Sequence, residues 1–198
     1  AGKTAFAAKI ALDLDFPYAK LIAGYQLLGL GEQEKVARIA DIFDEAFKSP
    51  KSVLIIDDIE RIIEYTAVGP RFSNTILQSL ISLLTRPHPH PDRKLIVILT
   101  SNKYAELVDL GFSSAVQFQV SLPTLMSADV NLIASAMGVN VQSFDPVFVA
   151  EHLTGIGVKR LTTLFAIGKK YSAEQGSPLT VEVLEQVLKH MPLPADEY

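Results

Sequence analysis

Apolar residues recur at Phe6, Ile10 and Leu14 among alanines, a helical period over Ala5–Leu14 that Pro17 ends. The pattern predicts that this helix packs on a sheet through those three positions. Ala19–Ala23 reads as a short strand. Over Glu32–Lys48 the apolar positions Val36, Ile39, Ala40, Phe43 and Phe47 repeat at helical spacing with acids and bases between them, and Ser49-Pro50 closes the segment. Ser52–Ile56 shows no alternation, which predicts a strand buried on both faces. Ser73–Leu84 is the next helix. Lys94–Leu99 is a second continuous apolar run, and Ala115–Val120 alternates like a further strand. Strands alternating with helices imply a parallel sheet covered on both faces, an α/β fold.

The pattern changes after Pro123. The remainder of the chain reads as helices only, at Ser127–Met137, Pro146–Leu153, Val158–Tyr171 and Val181–His190, broken at Gly138, Gly155 to Gly157 and Gly176. The expected division is residues 1–123 as an α/β nucleotide-binding subdomain and 124–198 as a small all-helical lid. No internal repeat is visible.

Composition narrows the function. A chain of 198 residues, 48% hydrophobic and 20% charged, can bury a substantial core. Its net charge of -4 provides no broad basic surface, which argues against nucleic acid as a partner. The absence of cysteine excludes disulfides, thiolate metal sites and a thiol nucleophile within these residues. Of four histidines, His88 and His90 sit in Pro87-His88-Pro89-His90-Pro91, expected to be a stiff exposed loop. No stretch reaches the length of a membrane span, so direct membrane insertion is not expected and a cytoplasmic location is the default.

The candidate chemistry lies in two halves. Gly2-Lys3-Thr4 opens a helix, where backbone N–H groups and a lysine can meet the β and γ phosphates of ATP or GTP while the threonine hydroxyl takes Mg²⁺. Well downstream, the run Val53-Leu54-Ile55-Ile56 ends in Asp57-Asp58, a buried strand delivering a carboxylate for the same Mg²⁺. The complete phosphate-binding motif begins with a glycine five residues before Gly2, so the chain reads as a fragment lacking that part of the cradle. Ligands on parallel sheets bind at the carboxyl ends of the strands, where Asp57, Asp58 and Asn102 would stand.

Beyond these motifs, Asp57-Asp58-Ile59-Glu60-Arg61, Val68-Gly69-Pro70-Arg71-Phe72-Ser73-Asn74 and Gly155-Ile156-Gly157-Val158-Lys159-Arg160 resemble the second AAA+ domain of the N-ethylmaleimide-sensitive fusion protein family. Ile42-Phe43-Asp44-Glu45-Ala46-Phe47-Lys48-Ser49 is similar as well, and the likeness weakens from Tyr104 to about His152. The resemblance implies a P-loop AAA+ core followed by a helical lid. It also implies a homohexameric ATPase that disassembles SNARE complexes with SNAP adaptors, held peripherally at membranes through those partners. This domain would bind ATP tightly, hold the ring together and hydrolyse slowly.

The resemblance also assigns roles. Gly2, Lys3 and Thr4 contact phosphate, Thr4 and Asp57 hold Mg²⁺, and Asp58 stands where most AAA+ ATPases place a glutamate that orients the attacking water. The side chain is one methylene shorter. Asn102 matches the sensor asparagine that positions water near the γ phosphate, and Gly157 and Lys159 match the lid segment that offers a basic residue to the same phosphate. No lysine or arginine occurs from Tyr104 to Val158, where an active ring carries its arginine fingers, which leaves Arg71, Arg86, Arg93 or Lys94 to reach a neighbour's nucleotide. In Gln26-Leu27-Leu28-Gly29-Leu30-Gly31, the place of the central-pore loop, leucine replaces the gripping aromatic. The alternative reading is an active AAA+ motor of another branch, which would need a usable finger and a competent acid.

Overall fold

A computed structural model describes residues 2–67, 69, 71–141, 144–176 and 178–191. Residues 3–120 form one compact unit, and Gly2 with the described residues from 121 onward another.

In the first unit, helix α1 (Lys3–Leu14) leads to strand β1 (Tyr18–Ala23), a 3-10 turn at Gly24–Leu27 and helix α2 (Glu32–Lys48). Strand β2 (Lys51–Asp57) runs into the single-turn helix α3 (Ile59–Ile62), followed by α4 (Asn74–Thr85), β3 (Lys94–Leu99) and α5 (Tyr104–Asp109). The three strands lie in the order β1-β2-β3, all parallel, with Leu21 opposite Ile55 and Ile55 opposite Ile98. β2 is therefore the central strand, and Ser52 to Ile56 are all buried. The unbroken apolar run is the sequence trace of that position, since neither face meets water.

α2 and α4 carry the crossovers between the strands and bury Ile39, Ile42, Phe43, Ile76, Leu77 and Leu80 in one core with Ile22, Leu54 and Ile56. Local chemistry sets their ends. Gly31 N–H donates to Glu34 Oε2 at 2.7 Å at the start of α2. Arg93 donates to the carbonyls of Phe47 and Lys48 at 3.0 and 2.8 Å, placing a cation on the exposed acceptors of the last turn. Ser73 lies just before α4 as its cap, its hydroxyl accepting Ile76 N–H at 3.1 Å.

Four expectations need correction. Ala115–Val120 forms no strand; alternation assigns faces, but a strand also needs a ladder partner, and this segment has none among the described residues. Phe118 and Val120 are accordingly 88% and 72% exposed. β3 is an outer strand of the sheet, so its apolar run is only partly covered. α1 meets the core through Ala7 rather than Phe6, because Ala7 shares a helix face with the half-buried Ile10 and Leu14 while Phe6, one position earlier, is turned about 100° away from it. His88 is half-buried, edge-on to the Phe47 ring at 4.9 Å, instead of exposed.

The second unit contains α6 (Ser127–Ala136), α7 (Pro146–Phe148), which continues as a π-helical turn at Val149–Leu153, α8 (Val158–Glu174) and α9 (Val181–His190). The expected helix Pro146–Leu153 is thus two different turns. Val130, Phe144, Phe148, Leu161, Leu164, Phe165 and Leu184 build its own core. α8 and α9 approach closely at Gly168, where an added Cβ would stand 2.9 Å from both Leu179 Cδ1 and Leu184 Cδ2.

Candidate functional site

The carboxyl ends of β2 and β3 converge on the first turn of α1. Thr4 Oγ1 donates to Asp57, 2.8 Å from Oδ1 and 3.0 Å from Oδ2, and Lys3 Nζ donates to Asn102 Oδ1. The Gly-Lys-Thr turn and the Asp-Asp strand end, 53 positions apart at their nearest bond, are thus one site. Gly2, just before the helix, has φ +81°, a conformation that L side chains rarely adopt and that frees the backbone to turn toward a phosphate. Thr4 and Asn102 are exposed and Lys3 is half-buried, so the site opens to solvent.

Asp58 is built differently from its neighbour. It leaves β2 in the left-handed conformation, φ 51° and ψ 63°, which costs a non-glycine residue on the order of 1 kcal/mol. Two hydrogen bonds hold it there. Thr100 Oγ1 accepts Asp58 N–H at 2.9 Å, and Thr100 C=O accepts Ile59 N–H at 3.1 Å. Burial raises the Asp58 carboxyl above the ordinary aspartate value, with the charges of Asp57 and Glu60 adding to the shift and Arg61 and Lys3 opposing it. The Arg61 ion pair is a loose 3.5 Å contact from an exposed guanidinium.

Two participants escaped the motif reading. Thr100, 5% exposed, donates to Asp57 Oδ1 at 2.7 Å while it accepts from Asp58, so one hydroxyl ties both acids to the end of β3. Glu60 Oε1 accepts both the N–H and the Nδ2 of Asn102, at 3.0 and 3.3 Å. A threonine directly after the second apolar run, two positions before Asn102, and an acid two positions past the paired aspartates are the marks they leave in the sequence.

The lid residues belong to the second unit. Gly157 caps the start of α8 in extended conformation and Lys159 lies in its first turn, exposed to solvent. Of the four basic residues considered for a neighbouring nucleotide, Arg86 binds Asp44 at 2.8 Å and lies over the Phe47 ring, and Arg93 is spent on the end of α2. The side chains of Arg71 and Lys94 are exposed and make no contact of that kind among the described residues. At the position expected for a pore loop Leu28 is 78% exposed, and Tyr25, in the 3-10 turn before it, 67%.

The donor set fits ATP with Mg²⁺. A threonine hydroxyl and an aspartate within hydrogen-bond reach of each other are hard oxygen donors, and Mg²⁺ takes one or two such protein ligands and completes its shell with phosphate oxygens and water. Among the described residues no cluster of three or more His, Asp or Glu side chains offers a separate metal centre. None of the described helices is long and apolar enough to cross a membrane.

Comparison with known proteins places the chain in a family. A model of the ATPase family associated with various cellular activities (AAA) matches residues 1–123. The chain is 41% identical over 164 residues to a vesicle-fusing ATPase of Arabidopsis thaliana, covering 82% of this chain and 22% of that protein. It is 39% identical over 128 residues to the vesicular-fusion protein SEC18 of Saccharomyces cerevisiae, 65% of this chain and 17% of that one. Against a vesicle-fusing ATPase of Caenorhabditis elegans it is 33% identical over 196 residues, 93% of this chain and 23% of the relative. The chain therefore spans about a fifth of the length of these relatives. Because the family model covers well over half of the sequence and includes both halves of the assembled site, the chain belongs to the AAA family of ATPases.

Proposed function

We propose that this chain is the ATP-binding assembly domain, the second of two AAA domains, in a homohexameric vesicle-fusing ATPase that disassembles SNARE complexes with SNAP adaptors. It works in the cytoplasm and meets membranes only through those partners. The observation that carries the nucleotide reading is the joining of Lys3 to Asn102 and of Thr4 to Asp57 at one strand edge. The names of the relatives, vesicle-fusing ATPase and vesicular-fusion protein, support the cellular setting.

In this reading Lys3 and the N-terminal N–H groups of α1 bind the β and γ phosphates, and Thr4 and Asp57 hold Mg²⁺. The ion supplies charge neutralisation on the phosphate oxygens. Asp58 orients water near the γ phosphate and Asn102 reads the same end of the nucleotide. Lys159, with Gly157 at the cap of its helix, is the basic residue assigned to that phosphate.

Slow turnover has two physical sources. Asp58 is one methylene shorter than glutamate, and a misplacement of about 1 Å can cost on the order of 100-fold in rate. The stretch from Tyr104 to Val158 also offers no basic residue as a finger, a group worth roughly 10³ to 10⁵ in turnover where present. Arg71 and Lys94 are the remaining candidates for contact with a neighbour.

The test is nucleotide binding and steady-state phosphate release by the full-length protein with its other AAA domain inactivated, together with ultracentrifugation with and without ATP. Tight ATP binding, turnover far below the common enzyme value of about 10 s⁻¹ and loosening of the ring on ATP removal support the proposal. Fast turnover favours an active motor of another branch, and an oligomer indifferent to nucleotide removes the assembly role.

A further inference from the structure

Asn102 is held from two sides by groups of opposite character. An asparagine amide can turn end for end with almost no change of shape, so its neighbours alone decide which end carries the donor. Glu60 Oε1 takes Nδ2 at 3.3 Å and the backbone N–H of the same residue at 3.0 Å. The Lys3 ammonium, which has hydrogens but no acceptor, takes Oδ1. Both partners demand the same orientation, with the nitrogen toward α3 and the oxygen toward the phosphate-binding lysine.

Glu60 holds this place against a stability cost. Its second oxygen, Oε2, is enclosed without a hydrogen-bond partner among the described residues, a cost to stability for any buried acceptor. Among the described residues its Oε1 bonds reach across 42 positions to Asn102 alone, so its hydrogen bonds set that amide, while its charge adds to the shift at Asp58.

We infer that Glu60 is a positioning residue that fixes Asn102 with its amide oxygen toward the phosphates, so that the water-positioning role expected of Asn102 is carried out as an acceptor and not through a bond donated to the γ phosphate. The inference rests on the ATPase reading above. When Lys3 turns to a bound nucleotide, Asn102 Oδ1 is released from the ammonium and accepts an O–H of water, while Nδ2 stays on Glu60. Such a sensor leaves nucleotide affinity almost untouched and acts on turnover alone.

The experiment is a double-mutant cycle in the full-length protein, with its other AAA domain inactivated: Glu60→Ala, Glu60→Gln, Asn102→Ala and the double variant Glu60→Ala/Asn102→Ala. Each is measured by ATP calorimetry, single-turnover phosphate release and thermal unfolding. Glu60→Ala should lower turnover roughly tenfold or more while changing ATP affinity less than about threefold. Glu60→Gln, whose amide oxygen still accepts from Asn102, should stand well above Glu60→Ala. The double variant should fall no further than Asn102→Ala, because a residue acting through Asn102 has nothing left to position. Losses that multiply in the double variant overturn the inference, as does an equal drop in ATP affinity and turnover. If Glu60→Ala does not fold, Glu60→Met keeps the length without the acceptor and carries the same comparison. A wild-type protein that neither binds nor hydrolyses ATP defeats the ATPase reading and takes this inference with it; a wild type that does so while the cycle is additive defeats only the inference.

Discussion

The Thr100 hydroxyl donates to Asp57 Oδ1 at 2.7 Å and in the same position accepts the N–H of Asp58 at 2.9 Å. A single buried oxygen thereby sets the carboxylate expected to hold Mg²⁺ and the strained backbone of the carboxylate expected to orient water. Thr100→Val keeps the shape and removes both bonds, leaving a partly buried N–H and an acceptor unmatched, at a cost of about 1–3 kcal/mol. Denaturant unfolding should show that loss, and phosphate release should fall with it. Thr100→Ser, which keeps the hydroxyl, should recover most of both; equal behaviour of the valine and serine variants would assign Thr100 to packing alone.

Lys159 stands exposed in the first turn of α8. If it meets only the third phosphate, its charge-assisted bond is worth roughly 1.5–3 kcal/mol and applies to ATP and not to ADP. Calorimetric titration of Lys159→Ala should then show about a tenfold or greater loss in ATP affinity with ADP nearly unchanged. Equal losses would point to support of the fold, and no loss would leave Lys159 a surface lysine.

Gly168 lies where α8 meets Leu179 and Leu184, and a Cβ there would come within 2.9 Å of both leucines. Alanine favours a helix over glycine by about 1 kcal/mol, but forcing a methyl into a filled contact costs roughly 1–3 kcal/mol. Packing wins, so Gly168→Ala should lower the unfolding midpoint of the lid by a net loss of about 1 kcal/mol. A raised midpoint would mean that the two leucine side chains move aside freely.

Tyr18 donates to Glu45 Oε2 at 2.9 Å, and its phenol is pushed up to about 12 by burial first and by the Glu45 carboxylate second. The folded chain therefore holds this proton to higher pH than the unfolded chain, whose tyrosine titrates near 10. Stability from this group is present below pH 10 and is lost as pH rises from 10 to about 12. Ultraviolet titration should show one of the six tyrosines ionising late, and Tyr18→Phe should remove that phase. Glu45→Gln should bring it to lower pH.

Much of the architecture was legible because it depends on residue spacing. The unbroken Val53–Ile56 run marked the central strand, the period of Ile39, Phe43 and Phe47 marked α2, and Ser73 marked the start of α4. Ala115–Val120 misled for a physical reason. Alternation states which side chains want burial, while strand formation depends on a neighbouring edge that the pattern does not describe.

By itself, the chain's order of residues determined the α/β class of the first unit, the helical character of the second and the residue types able to bind a phosphate and a divalent cation. These rest on local periodicity and on chemistry carried by single side chains. The roles of Thr100 and Glu60, the left-handed turn at Asp58 and the orientation of the Asn102 amide were decided only by tertiary structure. Each depends on hydrogen bonds between residues 42 or 43 positions apart, and a hydrogen bond is short and directional, so it exists only once β2 and β3 have paired and brought their ends together.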